Sequence, residues 1–192
     1  MRIAVILPLA LAASLGACTA SIPPVEVTRF HLGQPISPGG VQTVPIGGLD
    51  GASIEFRTYA IAVGRELTRL GFEDAQGPYV AEIGYARDTR ERLARQSPVT
   101  IGIGGGSFGG SVGIGVGTSF GVGGDGSRAD IVSRLEVRLK RRSDQSVIWE
   151  GRAQTQAPAN SPAAQPGLAA EKLARALFAG FPGESGRTIT VP

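Results

Sequence analysis

The N-terminal eighteen residues constrain this chain most, because they place its single cysteine directly behind a short apolar run. Arg2 provides one positive charge, residues 3–13 form the apolar run, and Leu15-Gly16-Ala17-Cys18 closes the segment. This layout is typical of a signal for export, and the run is too short to span a bilayer as a helix. We therefore expect cleavage between Ala17 and Cys18, which removes residues 1–17 from the fold.

Cys18 is predicted to be a lipid attachment site. A leucine, Leu15, stands three positions before the predicted cut, which suits a lipoprotein peptidase better than a general signal peptidase. An exported but unmodified thiol would be unpaired in an oxidising compartment. Stable anchoring needs more than one acyl chain, and lipoprotein maturation supplies two or three, palmitate among them. The alternative is a simple cleaved signal followed by an incidental cysteine.

The residue after the cysteine indicates to which membrane the lipoprotein is sorted. In Gram-negative lipoproteins an aspartate there retains the protein at the inner membrane, and this chain has Thr19. We therefore expect the outer membrane, with the protein facing the periplasm. Residues 18–24 form the predicted lipidated tether, and the six residues after the cysteine reach roughly 20 Å when extended.

Residues 25–192 are predicted to form a single domain, because this length suits one hydrophobic core. The net charge of the whole chain is only +3, which does not indicate binding to nucleic acid. No stretch of 18 apolar residues follows the N-terminal run, so the sequence predicts no membrane-spanning helix. We expect no cofactor and no metal, because no cluster of ligating residues is evident.

Hydrophobic periodicity predicts an α+β fold: a mostly antiparallel sheet with two amphipathic helices packed on one face. Alternation indicates strands, and apolar residues at helical spacing indicate helices. The predicted strands are 25–31, 42–45, 79–87, 131–142, 146–155 and 188–191, and the predicted helices follow Ser53 up to Gly71 and cover 168–178. Residues 88–97 are interpreted as a solvated, charged stretch.

Residues 101–124 contain twelve glycines in twenty-four positions. Val112, Ile114 and Val116 alternate with glycine, which places aliphatic side chains on one face of a strand and bare backbone on the other. A flexible linker lacks such regularity. The tract is therefore predicted to form a Gly-rich β-hairpin that extends from the domain.

Motifs for catalysis are weak. The tract matches a dinucleotide fingerprint at Gly104, but no amphipathic helix follows it within a βαβ unit. Gly-x-Ser-x-Gly occurs around Ser107, Ser111 and Ser119, but the single histidine, His31, lies upstream, whereas a nucleophile elbow needs one later in the chain. His31 is therefore interpreted as structural. Trp149 is interpreted as a core residue rather than a ligand platform.

Six fragments along the chain form a recognisable set: the Cys18 segment, Val27-Thr28-Arg29-Phe30-His31, Leu67-Thr68-Arg69-Leu70-Gly71-Phe72, the Gly-rich tract, Val147-Ile148-Trp149-Glu150-Gly151 and Phe181-Pro182-Gly183. Together they resemble a family of bacterial lipoproteins, domain of unknown function 4136 (DUF4136). The resemblance covers nearly the whole mature chain. It implies an α+β domain of the cell envelope and brings no catalytic motif with it.

The sequence leaves three functional hypotheses open. The first is a non-enzymatic outer-membrane lipoprotein that binds an envelope protein partner or has a structural role, with the membrane contacted through its lipid. The second is that the Gly-rich hairpin self-associates or contacts a membrane or pore, since a flat Val/Ile/Gly ribbon leaves a reactive edge. The third, and the weakest, is a hydrolase that uses Ser107, Ser111 or Ser119.

Overall fold

The computed structural model describes residues 23–91 and 129–192. Seven strands and two helices lie within these ranges. They are β1 (Val25–His31), β2 (Gly40–Pro45), α1 (Ile54–Arg69), β3 (Glu73–Asp74), β4 (Tyr79–Glu91), β5 (Ala129–Arg141), β6 (Val147–Pro158), α2 (Pro166–Phe178) and β7 (Thr188–Val191), with a 3-10 turn at Pro162–Ala164 before α2.

The strands form one sheet in the order β3-β2-β4-β5-β6-β1-β7. Pairing is antiparallel from β4 to β7, whereas β2 pairs in parallel with both β3 and β4. The predicted α+β class with a mostly antiparallel sheet is therefore confirmed. The parallel edge arises because α1 separates β2 from β4 in the chain and returns it to the same end of the sheet.

Both helices pack on one face of the sheet, as predicted, and the core lies between the two layers. Alternate residues of the central strands point to that face, because side chains of a strand alternate between faces. The aliphatic ones on β1, β4, β5 and β6 are all buried: Val25, Val27, Ala81, Ile83, Leu135, Val137, Leu139 and Ala153. Among the described residues, the other face carries mostly the intervening polar residues and is not covered by a helix, although Val132 and Asp130 on it are buried. It is called the open face below.

Helix α1 begins where the sequence predicted. Ser53 adopts an extended conformation, and its side chain accepts the backbone N–H of Phe56 at 3.0 Å. Gly71 follows the helix at φ +89°, a conformation that favours glycine and ends the helix. Within the helix, Glu66 is only 8% exposed and pairs with Arg69 at 2.6 Å.

Strand β4 corrects the boundary of the predicted charged stretch. Residues 88–91 continue the strand instead of forming a loop, and Glu91 pairs with Ala129 of β5. Charged residues are tolerated here because they lie mostly at the exposed extremity of the strand pair. The rest of that stretch, the predicted Gly-rich hairpin at 101–124, and residues 1–22 lie outside the described residues.

The sheet has two distinct ends, which are named here for later use. At the tether end β1 begins at Val25, beside Thr155 of β6 and Val191 of β7. At the far end His31 pairs with Trp149. Both helices run from the tether end towards the far end, so their last turns pack near Trp149 and the residues that follow α1.

Candidate functional site

The predicted site residues of the N-terminus and of the glycine tract lie outside the described residues. These are Cys18, the cleavage position at Ala17, and the serines Ser107, Ser111 and Ser119. Their predicted roles therefore stay predictions. The described ranges do place His31 and Trp149, and they reveal two features that the sequence interpretation missed.

His31 has a structural role at the far end. Its Nε2 lies 3.0 Å from the carbonyl oxygen of Gly183, and its Nδ1 accepts the backbone N–H of Gly33 at 3.1 Å. Its own backbone N–H donates to Ser185 Oγ. Both ring nitrogens are thus engaged with backbone, in the tautomer that carries its proton on Nε2. This arrangement ties β1 to the turn before β7 and leaves neither nitrogen available as a base.

Arg29 is the first feature that the sequence interpretation missed. It is only 3% exposed, and its guanidinium donates to three carbonyls at the end of α2: Nε to Leu177 at 2.8 Å, and Nη2 to Ala176 at 2.9 Å and Ala179 at 3.0 Å. The last carbonyls of a helix lack partners within it, and a cation there also complements the helix dipole. Burial lowers the pKa of Arg29.

Trp149 completes this group of contacts, which we call the Arg29 cluster. Its indole Nε1 donates to the Pro182 carbonyl at 3.0 Å, and its ring stacks on Phe178 at 5.3 Å and contacts Phe181 at the same distance. Trp149 is 1% exposed, so its predicted place in the core is confirmed. The cluster joins β1, β6, the end of α2 and the following turn.

Two glycines permit this packing. A Cβ on Gly151 would lie 2.4 Å from the Trp149 ring and 2.7 Å from Leu177, and a Cβ on Gly183 would lie 2.7 Å from the Arg29 side chain. Gly183 also has φ +83°. Three of the fragments on which the family resemblance rests therefore contact one another. Their contacts form part of the core and do not line a site.

Tyr59 is a buried polar residue on the side of α1 that faces the sheet. Its side chain is fully buried, its ring stacks on Tyr85 at 4.7 Å, and its hydroxyl finds no hydrogen-bond partner among the described residues. Burial raises the pKa of Tyr59 to about 12, and the nearby charge of Arg87 opposes this rise to a smaller extent. The hydroxyl is held in its neutral form.

The open face of the sheet carries a lattice of ion pairs, some within one strand and some between neighbouring strands. Arg138 and Glu136 approach to 2.6 Å, Arg152 and Glu150 to 2.7 Å, and Lys140 and Glu82 to 2.9 Å. Arg134 also pairs with Asp88. Arg134, Glu136, Arg138 and Lys140 of β5 thus all lie on the open face. Since cations and anions alternate, this face has little net charge.

A groove of about 610 Å³ crosses the open face. One wall is the loop after β2, where Ile46 packs on the bare backbone of Gly84; a Cβ on Gly84 would lie 2.8 Å from Ile46 Cδ1. The floor is formed by the ion-paired side chains of Arg134, Glu136 and Arg152, which lie beside this apolar wall. The charged groups of the groove neutralise one another, so its surface combines an apolar wall with little net charge.

The tether end is the second feature that the sequence interpretation missed, and it is the strongest candidate for a functional surface. The Pro24 carbonyl accepts from Thr155 Oγ1 at 2.9 Å, and the Pro23 carbonyl accepts from Lys172 Nζ. Burial lowers the pKa of Lys172. The last two residues of the predicted tether are thus fixed to β6 and α2.

The glycine-rich segment joins the sheet at this same end. In the pairing register, Val25 lies level with Thr155, Ser133 and Arg87. Strands β4 and β5 continue past that level to Glu91 and Ala129, which is about 13 Å further at the usual rise of a strand. The described ends of β4 and β5, Glu91 and Ala129, therefore lie beyond the level at which β1 begins.

Two further observations concern the described ranges alone. Within residues 23–91 and 129–192, no group of three or more His, Cys, Asp or Glu side chains is placed to hold a metal ion. None of the helices in these ranges is long and apolar enough to cross a membrane.

No family model matches the chain. Among solved structures, the PelC dodecamer from Paraburkholderia phytofirmans aligns with a TM-score of 0.47 at 11% identity, over 84% of this chain and 99% of that one. A PDZ domain protein from Parabacteroides distasonis aligns with a TM-score of 0.47 at 9% identity, over 88% of this chain and 39% of that one. Both are distant similarities of fold.

A relative with clear sequence similarity is the uncharacterized protein ZMO1243 of Zymomonas mobilis subsp. mobilis. It is 32% identical over 212 aligned positions, which cover 88% of this chain and 80% of the relative. The aligned region thus covers most of both proteins. The chain therefore belongs to the same family as ZMO1243.

Proposed function

We propose that this protein is a lipid-anchored, non-enzymatic component of the cell envelope. Its lipid is carried by Cys18, and its domain faces the periplasm from the outer membrane. It acts through protein contacts made close to that membrane, as a binding or structural accessory. Membership of the DUF4136 lipoproteins is part of the same proposal, and it rests on the fragments quoted above.

The observation that carries the proposal is the shared position of two segments at the tether end. The chain emerges from the tether at Pro23 and Pro24, which are bonded to Lys172 and Thr155. Residues 92–128 leave and return at Glu91 and Ala129, on the same side. A tether of six residues reaches only roughly 20 Å. An anchored domain would hold its glycine-rich segment near the membrane surface.

The Arg29 cluster gives additional support for the family resemblance. The fragments around Arg29, Trp149 and Pro182 are far apart in the chain, yet they contact one another directly. Residues that depend on one another for packing form one structural unit. Their joint presence is therefore a stronger sign of a common fold than any fragment alone.

Membrane fractionation of two variants tests the anchor. Cys18→Ser removes the atom that would be acylated, so we expect the protein to move from the membrane to the soluble periplasmic fraction. Thr19→Asp is the matched control: it keeps the cysteine but introduces the residue that retains Gram-negative lipoproteins at the inner membrane. A Cys18→Ser protein that still fractionates with the outer membrane would contradict the proposal.

The orientation is tested separately. Cys18 is the single cysteine of the chain, and acylation would block its thiol, so one introduced cysteine can be labelled selectively. A fluorophore at Glu91→Cys should be quenched by brominated phospholipids in the same vesicles, whereas one at Ser143→Cys, in the turn at the far end, should not. Equal quenching at both positions would show that the tether end does not face the bilayer.

A further inference from the structure

The two edges of the sheet differ in how they are protected. Edge strand β3 has two residues, and both are acidic: Glu73 and Asp74. Edge strand β7 has four residues, Thr188–Val191, and carries no charge and no proline. Short or charged edge strands resist pairing with other chains, whereas an uncharged β-branched edge invites it. Edge β7 is therefore the reactive one.

The side chains of β7 also leave part of the core uncovered. Ile189 and Val191 pair with Val27 and Val25 and pack against the core, but they stay half-buried. Their partners Val25 and Val27 are fully buried. An additional strand outside β7, with aliphatic side chains at every second position, would complete this row on the helix-covered face.

The chain itself contains a segment of this chemistry. Residues 112–117 alternate valine or isoleucine with glycine and carry no charge. In a strand their aliphatic side chains would share one face, and the glycines would leave the backbone on the other face bare. We propose that the outer edge of β7, which pairs with no other strand of the described ranges, accepts residues 112–117 from a second copy of this chain as an added strand.

The donor is a second copy because the route within one chain is obstructed. Residues 118–128 could span roughly 36 Å, and a strand added outside β7 would lie about four strand spacings, or roughly 19 Å, from β5. The link would nevertheless cross both the start of β1 and the connection from β6 to α2, which lie at the same end. Connections at one end of a sheet rarely cross. A neighbouring copy has no such obstacle.

Anchoring would favour this contact, and in this respect the inference deepens the proposed function and rests on it. Copies held by equal tethers on one membrane present Glu91, Ala129 and Val191 at similar heights, since all three lie towards the tether end. Donor and acceptor are different surfaces of the molecule. Such head-to-tail contacts generate rings or open chains rather than closed pairs.

Disulfide trapping between two variants tests the proposal. Both carry Cys18→Ser; one has Thr190→Cys and the other Gly115→Cys, positions on the glycine side of the added strand. Opposed residues in a sheet lie within the separation that a disulfide requires. On oxidation of the mixture we expect a linked heterodimer, and much less when Ser143→Cys at the far end replaces Thr190→Cys.

A double variant, Thr190→Cys with Gly115→Cys, separates the two sources of the strand. Diluted before oxidation, it should stay reduced if the strand comes from another copy. A monomer with an internal disulfide would overturn the proposal in favour of self-pairing, and a mixture that forms no heterodimer would overturn it altogether. These proteins carry no lipid, so a failure of the proposed anchor would not affect the outcome.

A peptide provides a second measurement that does not depend on thiols. A labelled peptide of residues 110–119 should bind the chain that lacks 101–124, as measured by fluorescence anisotropy, with Trp149 fluorescence as the check on folding. Replacing Ile114 by proline in the peptide removes a ladder donor and should weaken binding by roughly tenfold or more. Equal binding of both peptides would show that no strand is added.

Discussion

The two faces of the sheet are built from the same strands but are stabilised in different ways. On the helix-covered face, aliphatic residues are almost fully buried, and the buried arginine Arg29 is bonded to three carbonyls. On the open face arginines such as Arg152 meet carboxylates in partial contact with water, with 57% of the Arg152 side chain exposed. The same residue type thus serves in two environments.

This difference between the two faces indicates where substitutions should be tolerated. A buried cation cannot be rehydrated when its partners are lost, whereas an exposed ion pair exchanges protein contacts for water at little cost. The covered face is therefore expected to be sensitive to single changes, and the open face to accept them. The following predictions test this contrast, beginning with the largest expected effect.

Arg29→Met should destabilise the domain by about 3–5 kcal/mol, because three buried carbonyls at the end of α2 lose their donor. Arg152→Met makes the same chemical change on the open face and should cost less than about 1 kcal/mol. Urea unfolding followed by Trp149 fluorescence measures both. Similar losses for the two variants would remove the contrast between the faces.

Alkaline pH should destabilise the covered face through Tyr59. Its pKa is raised from 10.0 in the unfolded chain to about 12 in the fold, so the unfolded state loses its proton first. Stability is fully present below pH 10 and falls as the pH rises towards 12, by roughly 2.7 kcal/mol at most for two pH units. The Tyr59→Phe variant should lack this part of the decline in urea unfolding at pH 9 and pH 11.5.

If the pH dependence of stability is unchanged in Tyr59→Phe, the loss of stability at alkaline pH arises from other groups. At pH 7 the same variant should be at least as stable as the parent chain. It removes a buried hydroxyl that finds no hydrogen-bond partner among the described residues, and such a group carries a desolvation penalty.

Gly151→Ala should destabilise the domain by about 1–3 kcal/mol, because its methyl group would overlap the Trp149 ring and Leu177. Gly64→Ala is the matched control in α1, where a Cβ meets nothing within 4 Å. It should be neutral or stabilise by up to about 1 kcal/mol, since alanine favours a helix. Thermal unfolding of both variants provides the comparison, and a stable Gly151→Ala protein would contradict the tight packing.

Salt should have the smallest effect. Raising NaCl from about 0.1 to 1 M shortens the screening length to roughly 3 Å, which weakens the partly exposed pairs of the open face. We expect a loss below about 1 kcal/mol in urea unfolding, and a smaller one in Arg152→Met, which already lacks one pair member. A large salt effect would show that the open face contributes more than this lattice suggests.

The sequence predicts the elements well where local pattern is strong. Strands 25–31 and 188–191 and the start of α1 at Ser53 agree with the structure because alternation and capping act over a few residues. The ends of β4 and β6 were placed too early, because the register with a partner strand prolongs them beyond the local signal.

The Arg29 cluster and the tether end could not be predicted from local pattern. The alternation of Val25 and Val27 does place Arg29 on the apolar face, but its partners lie some 150 positions later in the chain. The parallel pairing of β2 with β4, and the common end shared by Glu91 and Val25, likewise depend on topology. Such features arise only when distant segments assemble.

The position of β1 has a mechanical consequence. This strand continues directly from the tether and is paired along its length with β6 on one side and in part with β7 on the other. A pull on the N-terminus acts along the strand, so it loads both ladders in shear and strains their hydrogen bonds together rather than one after another. Strand β1 lies closest to the proposed anchor and is therefore also the strand that resists a force applied through that anchor.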